Sequence, residues 1–428
     1  MALSRRVDAR RTGGYGSGVI SVGEALALVL EDTPRLGTER VPLADALGRV
    51  AAEDVASARA VPADDNSAMD GYAVRGADLT GPGVRLRVVG VAPAGTVAAT
   101  PLAPGTAWKI FTGSVVPPGA DTVVKVEDTD GGAGEVTIVA PPARGANVRH
   151  AGEDIAVGAV VVRAGTGLGP ADLGVLASVG RSSVQVVQRP RVAIVSTGAE
   201  LIEIDATPAP GQVVNSNAAS LAAAVVEAGG VPVVLPIVRD RREDIRAALA
   251  EAARADVVLS SGGVSVGDFD FVKEEFDALG VARRFWKVAQ KPGKPLTFGR
   301  RDRTLFFGLP GNPVSALVCF LVYVRPALRK MAGHAALHLP TVDARLAAPV
   351  RTAPALTEFV RVRLTRCDGE WAAEPFPSQS SGVLTSMSAG AGLLVARPGA
   401  ALVVGDRYPV IVPAAVTLET VDPASAVR

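Results

Sequence analysis

The chain has 428 residues, a length that predicts about three domains. Lys and Arg number 44 against 43 Asp and Glu, a net charge of +1, which removes any bulk electrostatic case for nucleic acid or an anionic membrane as partner. Hydrophobic residues at 48% and charged residues at 20% supply ample buried cores and exclude a wholly disordered chain.

Two cysteines far apart, Cys319 and Cys367, exclude a disulfide framework and a cysteine-based zinc site as organising principles. Three histidines make a His-rich metal site a poor fit. A hard ion would be held by carboxylates, which favours magnesium. No apolar run reaches the ~18 residues of a membrane span, and Val314 to Val324 reads as a buried helix. Residues 1–18 carry Arg5, Arg6, Arg10 and Arg11 with no apolar signal core after them, and read as a disordered leader. The expectation is a soluble, cytoplasmic protein without nucleic acid or membrane partners.

Order is expected from Ser21-Val22-Gly23-Glu24, a capping box followed by apolar Ala25, Leu26, Val29 and Leu30. A second short helix is expected over Leu43 to Leu47, stopped by Gly48. From about 57 to 148 helical periodicity vanishes. Short β-branched runs at 84–89, 122–126 and 136–139, punctuated by Gly and Pro, predict a small all-β unit. Leu173 to Val179 reads as a helix again, so one domain, 19–56 with 149–188, is split around a β insertion, 57–148. Residues 189–338 alternate strands (192–195, 231–238, 257–259, 304–309) with helices (218–228, 242–253, 313–330). This predicts βαβ units on a parallel sheet covered on both faces. Short strands with Pro and Gly turns return over 339–428, a C-terminal β domain.

In an open parallel sheet ligands lie at the carboxyl ends of the strands, and glycine and polar residues gather there. Thr197, Gly198 and Glu200 follow one strand. Ser261, Gly262, Gly263, Ser265 and Asp268 follow a second. Pro310, Gly311 and Asn312 follow a third, with Asn312 suited to an N-cap and Pro313 to the first helical position. Each loop offers backbone N–H groups to an anion, so three in one sheet predict a site for a phosphate or pterin-type anion. Lys287, Lys291 and Lys294 fall within eight residues around Pro292 and Pro295, a rigid cationic loop suited to an oxyanion. Asp268 and Asp270 share a face if the chain there is extended, which would let both reach one magnesium ion. Asp240 and Asp70 are further carboxylates in turn-like settings.

Five segments carry a family likeness: Ser67-Ala68-Met69-Asp70-Gly71-Tyr72-Ala73, Ile110-Phe111-Thr112-Gly113, Ser261 to Asp268, Lys291-Pro292-Gly293-Lys294-Pro295 and Leu309-Pro310-Gly311-Asn312-Pro313. In this order they resemble the molybdopterin molybdenumtransferases, the MoeA family, to which the E domain of gephyrin also belongs. The resemblance runs from about Val19 onward. It implies an elongated homodimer with four domains per subunit: the split domain for dimerisation, the β insertion, a molybdopterin-binding α/β domain and a small β-barrel-like C-terminal domain. It implies a reaction in which adenylylated molybdopterin and molybdate give molybdenum cofactor and AMP, with Mg2+. The adenylyltransferase that makes the substrate and the enzymes that receive the cofactor are implied as partners.

Carried over by the resemblance, Asp70, Thr112, Glu200, Asp270, Lys287 and Lys291 are the catalytic set. Asp70 and Thr112 come from the β insertion and face the partner subunit's cleft. Asp154, Asp240, Arg361 and Ser381 join the three loops and Lys294 in binding substrate. Two departures stand out. Ala199 occupies a position where the family commonly has Asp, leaving Glu200 as that loop's carboxylate. The usual Gln-Gly-Ser-His run reads Gln379-Ser380-Ser381-Gly382. Other readings are a non-catalytic, gephyrin-like scaffold, a tungstate-using paralogue, and the adenylyltransferase one step earlier. The β insertion and C-terminal β domain argue against the last of these.

Overall fold

The computed structural model describes residues 18–263, 271–367, 369–388 and 391–413. The expected leader, Ser265, Asp268 and Asp270 therefore lie outside the described residues, apart from Gly18. The chain forms two units: residues 39–186, and the flanking stretches up to 38 and from 187 onward.

Residues 39–186 centre on a five-stranded sheet in the order Thr122–Lys125, Gly71–Val74, Thr106–Ile110, Val84–Ala92, Glu135–Ile138. Three of these are the strands the β-branched runs predict. All four residues of Gly71–Val74 are buried. Tyr72 and Val74 enter one apolar cluster with Leu86 and Val124, while Ala73 enters another with Ile110 and Val123. Successive side chains leave opposite faces, so a strand covered on both sides reads as continuously apolar. The stretches flanking this sheet pair with one another, Val55–Ala56 with Val160–Val162. They share a third core, in which Leu176 of the helix Pro170–Ser178 packs with Val55, Val162 and Val184. At Leu43–Asp45 a single 3-10 turn replaces the expected short helix.

The other unit contains a six-stranded sheet in the order Val231–Val234, Arg191–Ser196, Val257–Ser261, Thr304–Leu309, Thr297–Arg301, Ala282–Trp286. The first four strands are parallel, and the last two add antiparallel, so the sheet is mixed rather than wholly parallel. Helices cover both faces. Ser216–Glu227 and the helix from Pro313 bury Leu221, Val225, Val314 and Val318 against Ile194, Leu259 and Phe307. Arg242–Ala252 and Val272–Ala278 bury Ile245, Leu249 and Phe276 against Ala193, Val258 and Phe306. The helix Val22–Asp32 joins the first face, its capping box complete: Ser21 Oγ accepts from Glu24 N–H, and the Glu24 carboxylate accepts from Ser21 N–H at 2.9 Å.

Two expected elements differ. The strand from Val231 stops at Val234, because Pro236 cannot donate to a ladder. The helix from Pro313 runs as α-helix to Cys319, widens to a π-helical turn over Phe320–Val324 and resumes as α-helix over Arg325–Met331. At the C-terminal end, Thr357–Cys367, Glu370–Pro375, Thr341–Leu346, Arg407–Ile411 and Ala391–Ala396 pair in that order, and the last pairs back to the first. The result is a closed five-stranded barrel around Val360, Val362, Leu394 and Val410. No helix among the described residues is long and apolar enough to cross a membrane.

His334 follows the helix Arg325–Met331. Burial, with the charges of Arg329 and Arg325 beside it, pushes its pKa down to about 4. The unfolded chain protonates this ring near pH 6.5 and the folded chain only near pH 4. Its contribution to stability is therefore complete above pH 6.5 and is lost progressively as pH falls from 6.5 to 4. Discounted for the exposed part of the ring, that loss is about 1–3 kcal/mol. Urea midpoints of wild type and His334→Gln, compared at pH 7 and 4.5, should show a shallower acid limb in the variant. Parallel limbs would contradict this.

Candidate functional site

The strand order fixes where a ligand can enter. From Arg191–Ser196 the chain crosses to one side to make Val231–Val234, then to the other to make Val257–Ser261. The crevice beyond the carboxyl ends of Arg191–Ser196 and Val257–Ser261 is the topological switch point. A cleft of about 370 Å³ opens there, lined by Thr197, Glu200, Asn215, Asn217, Ser261 and Gly311 among others.

The three glycine-bearing loops are laced together. Thr197 N–H donates to Ser261 O at 3.2 Å, and Gly262 N–H to Leu309 O at 3.2 Å. Gly262 stands at φ +96°, and a Cβ there would lie 2.6 Å from Thr197 O, so both its conformation and its close approach demand glycine. Asn217 completes the lacing. Its Nδ2 donates to Ser261 Oγ and to Gly311 O, both at 2.8 Å. That fixes the amide so that Oδ1, buried and unpartnered, is left as an acceptor beside the cleft. Thr197 Oγ1 is buried and unpartnered too. The helix Ser216–Glu227 starts here, with Asn215 capping Ala218 N–H, so its N-terminal dipole faces the cleft.

Neither Asn215 nor Asn217 stood out in the sequence. The available signal was Asn215 as an N-cap, which sets the helix two residues earlier than apolar periodicity does. Asp240 accepts Ala199 N–H at 2.9 Å, tying the first loop to the segment after Val231–Val234. Asn312 occupies the N-cap position of its helix, but its side chain makes no capping bond. Instead Nδ2 donates to Ser381 Oγ at 2.9 Å, and Val314 N–H donates to Ser381 O at 3.1 Å. This seats the 378–384 segment of the barrel on the cleft's third loop, and Gly382 and Leu384 join the lining.

Arg361, expected to line the cleft, is only 2% exposed. Its Nη2 donates to Ser380 O at 3.0 Å, its Nε to Ser386 Oγ at 3.3 Å, and its backbone N–H to Gln379 Oε1 at 3.0 Å. It stands behind the loop that carries Ser381 and holds it, because a buried guanidinium must spend its donors locally.

The lysine loop lies in the same unit. Lys287 has φ +139°, a conformation that costs a side-chain-bearing residue energy. Its ammonium sits 4.0 Å from the Trp286 ring centroid, and that of Lys273 3.6 Å from the same ring. Lys291, half exposed, reaches the Glu358 carboxylate at 3.5 Å. Lys294 is exposed on the far side of buried Pro292 and Gly293.

In the unit 39–186, Asp70 and Thr112 meet: Asp70 Oδ1 accepts from Thr112 N–H at 2.7 Å and Thr112 Oγ1–H at 2.8 Å. These bonds, the backbone one first, hold the Asp70 carboxyl below its usual pKa, so it is an anion. Asp154 is exposed, its N–H donating to Val61 O at 3.1 Å.

Among the described residues no three His, Cys, Asp or Glu side chains cluster as a metal cage. Glu200 lies at the cleft. A hard ion held there would complete its shell with substrate oxygens and water.

A doubly covered α/β sheet with a cleft at its switch point, joined to a closed barrel, is the architecture of a small-molecule-binding protein. Three family models match in chain order: MoeA N-terminal region (domain I and II) over 20–180, probable molybdopterin binding domain over 193–330, and MoeA C-terminal region (domain IV) over 343–412. Molybdopterin molybdenumtransferase 2 of Mycobacterium tuberculosis is 40% identical over 336 residues, 76% of this chain and 82% of that one. The molybdopterin molybdenumtransferase of Bacillus subtilis is 35% identical over 389 residues, 89% and 90% of the two chains. The crystal structure of a molybdopterin biosynthesis MoeA protein from Pyrococcus horikoshii superposes with a TM-score of 0.80 at 32% identity, covering 92% of this chain and 99% of that one. The chain belongs to the MoeA family of molybdopterin molybdenumtransferases.

Proposed function

We propose that this protein inserts molybdate into adenylylated molybdopterin during molybdenum cofactor biosynthesis, releasing AMP in a Mg2+-dependent reaction. The observation that carries the reading is the cleft itself: an acceptor locked by Asn217, an unpartnered Thr197 hydroxyl, two helix N-termini and a neighbouring loop of exposed lysines. The pterin and its phosphates bind along the glycine loops, where N–H groups and helix dipoles meet anionic oxygen. Lys287, Lys291 and Lys294 hold the small oxyanion. No Cys or His ligand is called for, since the substrate's own dithiolene receives the metal. Magnesium would be held by Glu200 with Asp268 and Asp270, and supplies neutralisation of charge on the phosphoanhydride.

The same reading makes the protein a cytoplasmic homodimer in which each protomer's Asp70–Thr112 pair serves the other's cleft. Its domains divide at 19–56 with 149–188, 57–148, 189–338 and 339–428.

The test is AMP release from adenylylated molybdopterin with molybdate and Mg2+. Molybdate-dependent release is expected, and release indifferent to molybdate would refute the reading. In the same assay Asp270→Asn should fold and bind the pterin but release AMP at least about tenfold more slowly, ~1.4 kcal/mol of transition-state stabilisation. The competing role for Asp270 is a cap on the next helix, which Asn would serve equally. The N-cap position of that helix, Val272–Ala278, falls on Phe271. Wild-type release by the variant at the same Mg2+ requirement would remove Asp270 from the metal site.

A further inference from the structure

The lysine loop rests on a buried polar cluster that the proposed chemistry does not use. Gln290 is fully buried. Its Nε2 donates to Pro292 O at 3.0 Å and Gly293 O at 3.3 Å, and its Oε1 accepts from the Tyr323 hydroxyl at 2.5 Å. Tyr323 is also fully buried, and burial lifts its pKa far above the ordinary phenol range, so it is a neutral donor. An uncharged amide suits this place because it presents two N–H donors to the loop and one acceptor to the phenol.

The loop is pressed hard against this cluster. Gly293 stands at φ +91°, and a Cβ there would lie 2.5 Å from Cys319 Sγ and 2.7 Å from Gln290 Nε2. Cys319 is a buried, free thiol whose pKa is pushed up to about 12, so it fills space and carries no charge. With the Pro292 and Gly293 carbonyls drawn inward, Lys291 and Lys294 on either side are left exposed.

Tyr323 reaches this spot from the π-helical turn Phe320–Val324. Such turns insert an extra residue into a helix and occur preferentially at functional sites. The helix they interrupt begins at Pro313, in the loop that lines the cleft. One element thus carries the cleft's third loop at its start and the support of the lysine loop about three turns later.

We propose that Gln290 and Tyr323 are positioning residues: through the Pro292 and Gly293 carbonyls they fix where the lysine ammonium groups stand relative to the cleft. The inference rests on the molybdate-insertion reading for its kinetic consequence, but not for its structural one. In Gln290→Leu both carbonyls lose the amide, Gly293 O keeping only the weak Cys319 S–H donor at 3.6 Å, and in Tyr323→Phe only the orientation of Gln290 is released.

The experiment measures AMP release at varied molybdate and varied pterin, together with amide hydrogen exchange over residues 287–296, on the full-length protein. Gln290→Leu should raise KM for molybdate at least about tenfold. KM for adenylylated molybdopterin should stay within about twofold, and exchange should quicken within the loop. Tyr323→Phe should shift the same constant in the same direction by less. Equal losses in both constants, or none in either variant, would assign the cluster to stability alone and overturn the proposal. If Gln290→Leu does not fold, Tyr323→Phe decides by the same split. If wild type itself releases no AMP, the insertion reading fails separately. Unchanged exchange at 287–296 in Tyr323→Phe would then overturn the clamp.

Discussion

Asn217→Leu is expected to lower kcat/KM for AMP release about 100-fold in a protein that still folds. Asn217, in the first turn of Ser216–Glu227, joins that helix to two strand ends: Ser261 at the end of Val257–Ser261, and Gly311 before the helix at Pro313. Leucine keeps much of the bulk but removes both bonds and leaves Gly311 O without that donor. The loss in stability is about 1–3 kcal/mol, since each such bond is worth roughly 1 kcal/mol net. Activity suffers more, because misplacement of positioning groups by about 1 Å can cost ~100-fold. Asn217→Asp separates position from charge. A carboxylate can accept from Ser261 Oγ–H but cannot donate to Gly311 O, and it sets a negative charge beside the substrate's phosphates. The Asp variant should therefore be as inactive as the Leu variant and should bind the pterin more weakly. Activity within twofold of wild type in Asn217→Leu would mean that the loops hold their places without it.

The reason Asn217 escaped notice shows what a sequence can carry. Gly262 and Pro313 are legible because a left-handed φ and a first helical position are local demands that the residue type itself announces. The bonds of Asn217 span 44 and 94 residues, and they exist only because the strand order sets Arg191–Ser196 beside Val257–Ser261 and that beside Thr304–Leu309. Local reading has a cap at Asn215 to find and nothing beyond it. Arg361 is a second case. Strand alternation puts Val360 and Val362 in the barrel core and Arg361 on the opposite face, where its bonds to Ser386 and Ser380 join residues 25 and 19 positions apart that no local reading connects. The π-helical turn has one local signal, Pro326 just beyond it, which brings no N–H to the helical ladder; Val314 to Val324 itself contains no glycine or proline. Alternation of strand and helix did predict an α/β sheet with both faces covered, because that pattern reports burial directly. It could not predict the two antiparallel strands at the edge, which depend on how 282–301 folds back.

Gly71→Ala should cost far more stability than Gly134→Ala in the same unit, where a Cβ would meet nothing within 4 Å. Gly71 lies in the run Ser67 to Ala73 that carries the family likeness, next to Asp70, and invites a functional explanation. The structure gives a packing one. Gly71–Val74 is an interior strand, pairing with Thr106–Ile110 on one side and Thr122–Lys125 on the other. A Cβ on Gly71 would stand 1.9 Å from Val124 O, 2.9 Å from Val124 C and 3.0 Å from Lys125 Cα. All three are backbone atoms, so no side chain can rotate away, and the strand itself must move off its neighbour. Overpacking against movable side chains costs about 1–3 kcal/mol. Here ladder hydrogen bonds at roughly 1 kcal/mol each would be lost as well, and Tyr72, fully buried in the next position, would shift with them. A loss of ~3 kcal/mol or more is expected, read as a lowered urea midpoint and as faster amide exchange over 71–74 and 122–125. Asp70→Asn is the control. Its side chain is solvent-exposed and can still accept from Thr112, so its stability should stay near wild type while the negative charge is gone. If Gly71→Ala unfolds at the wild-type midpoint, the strand tolerates separation from Val124. If Asp70→Asn instead is the variant that unfolds early, the roles of the two neighbours are reversed: the carboxylate would be what this corner of the sheet requires, and the glycine would be incidental to its fold.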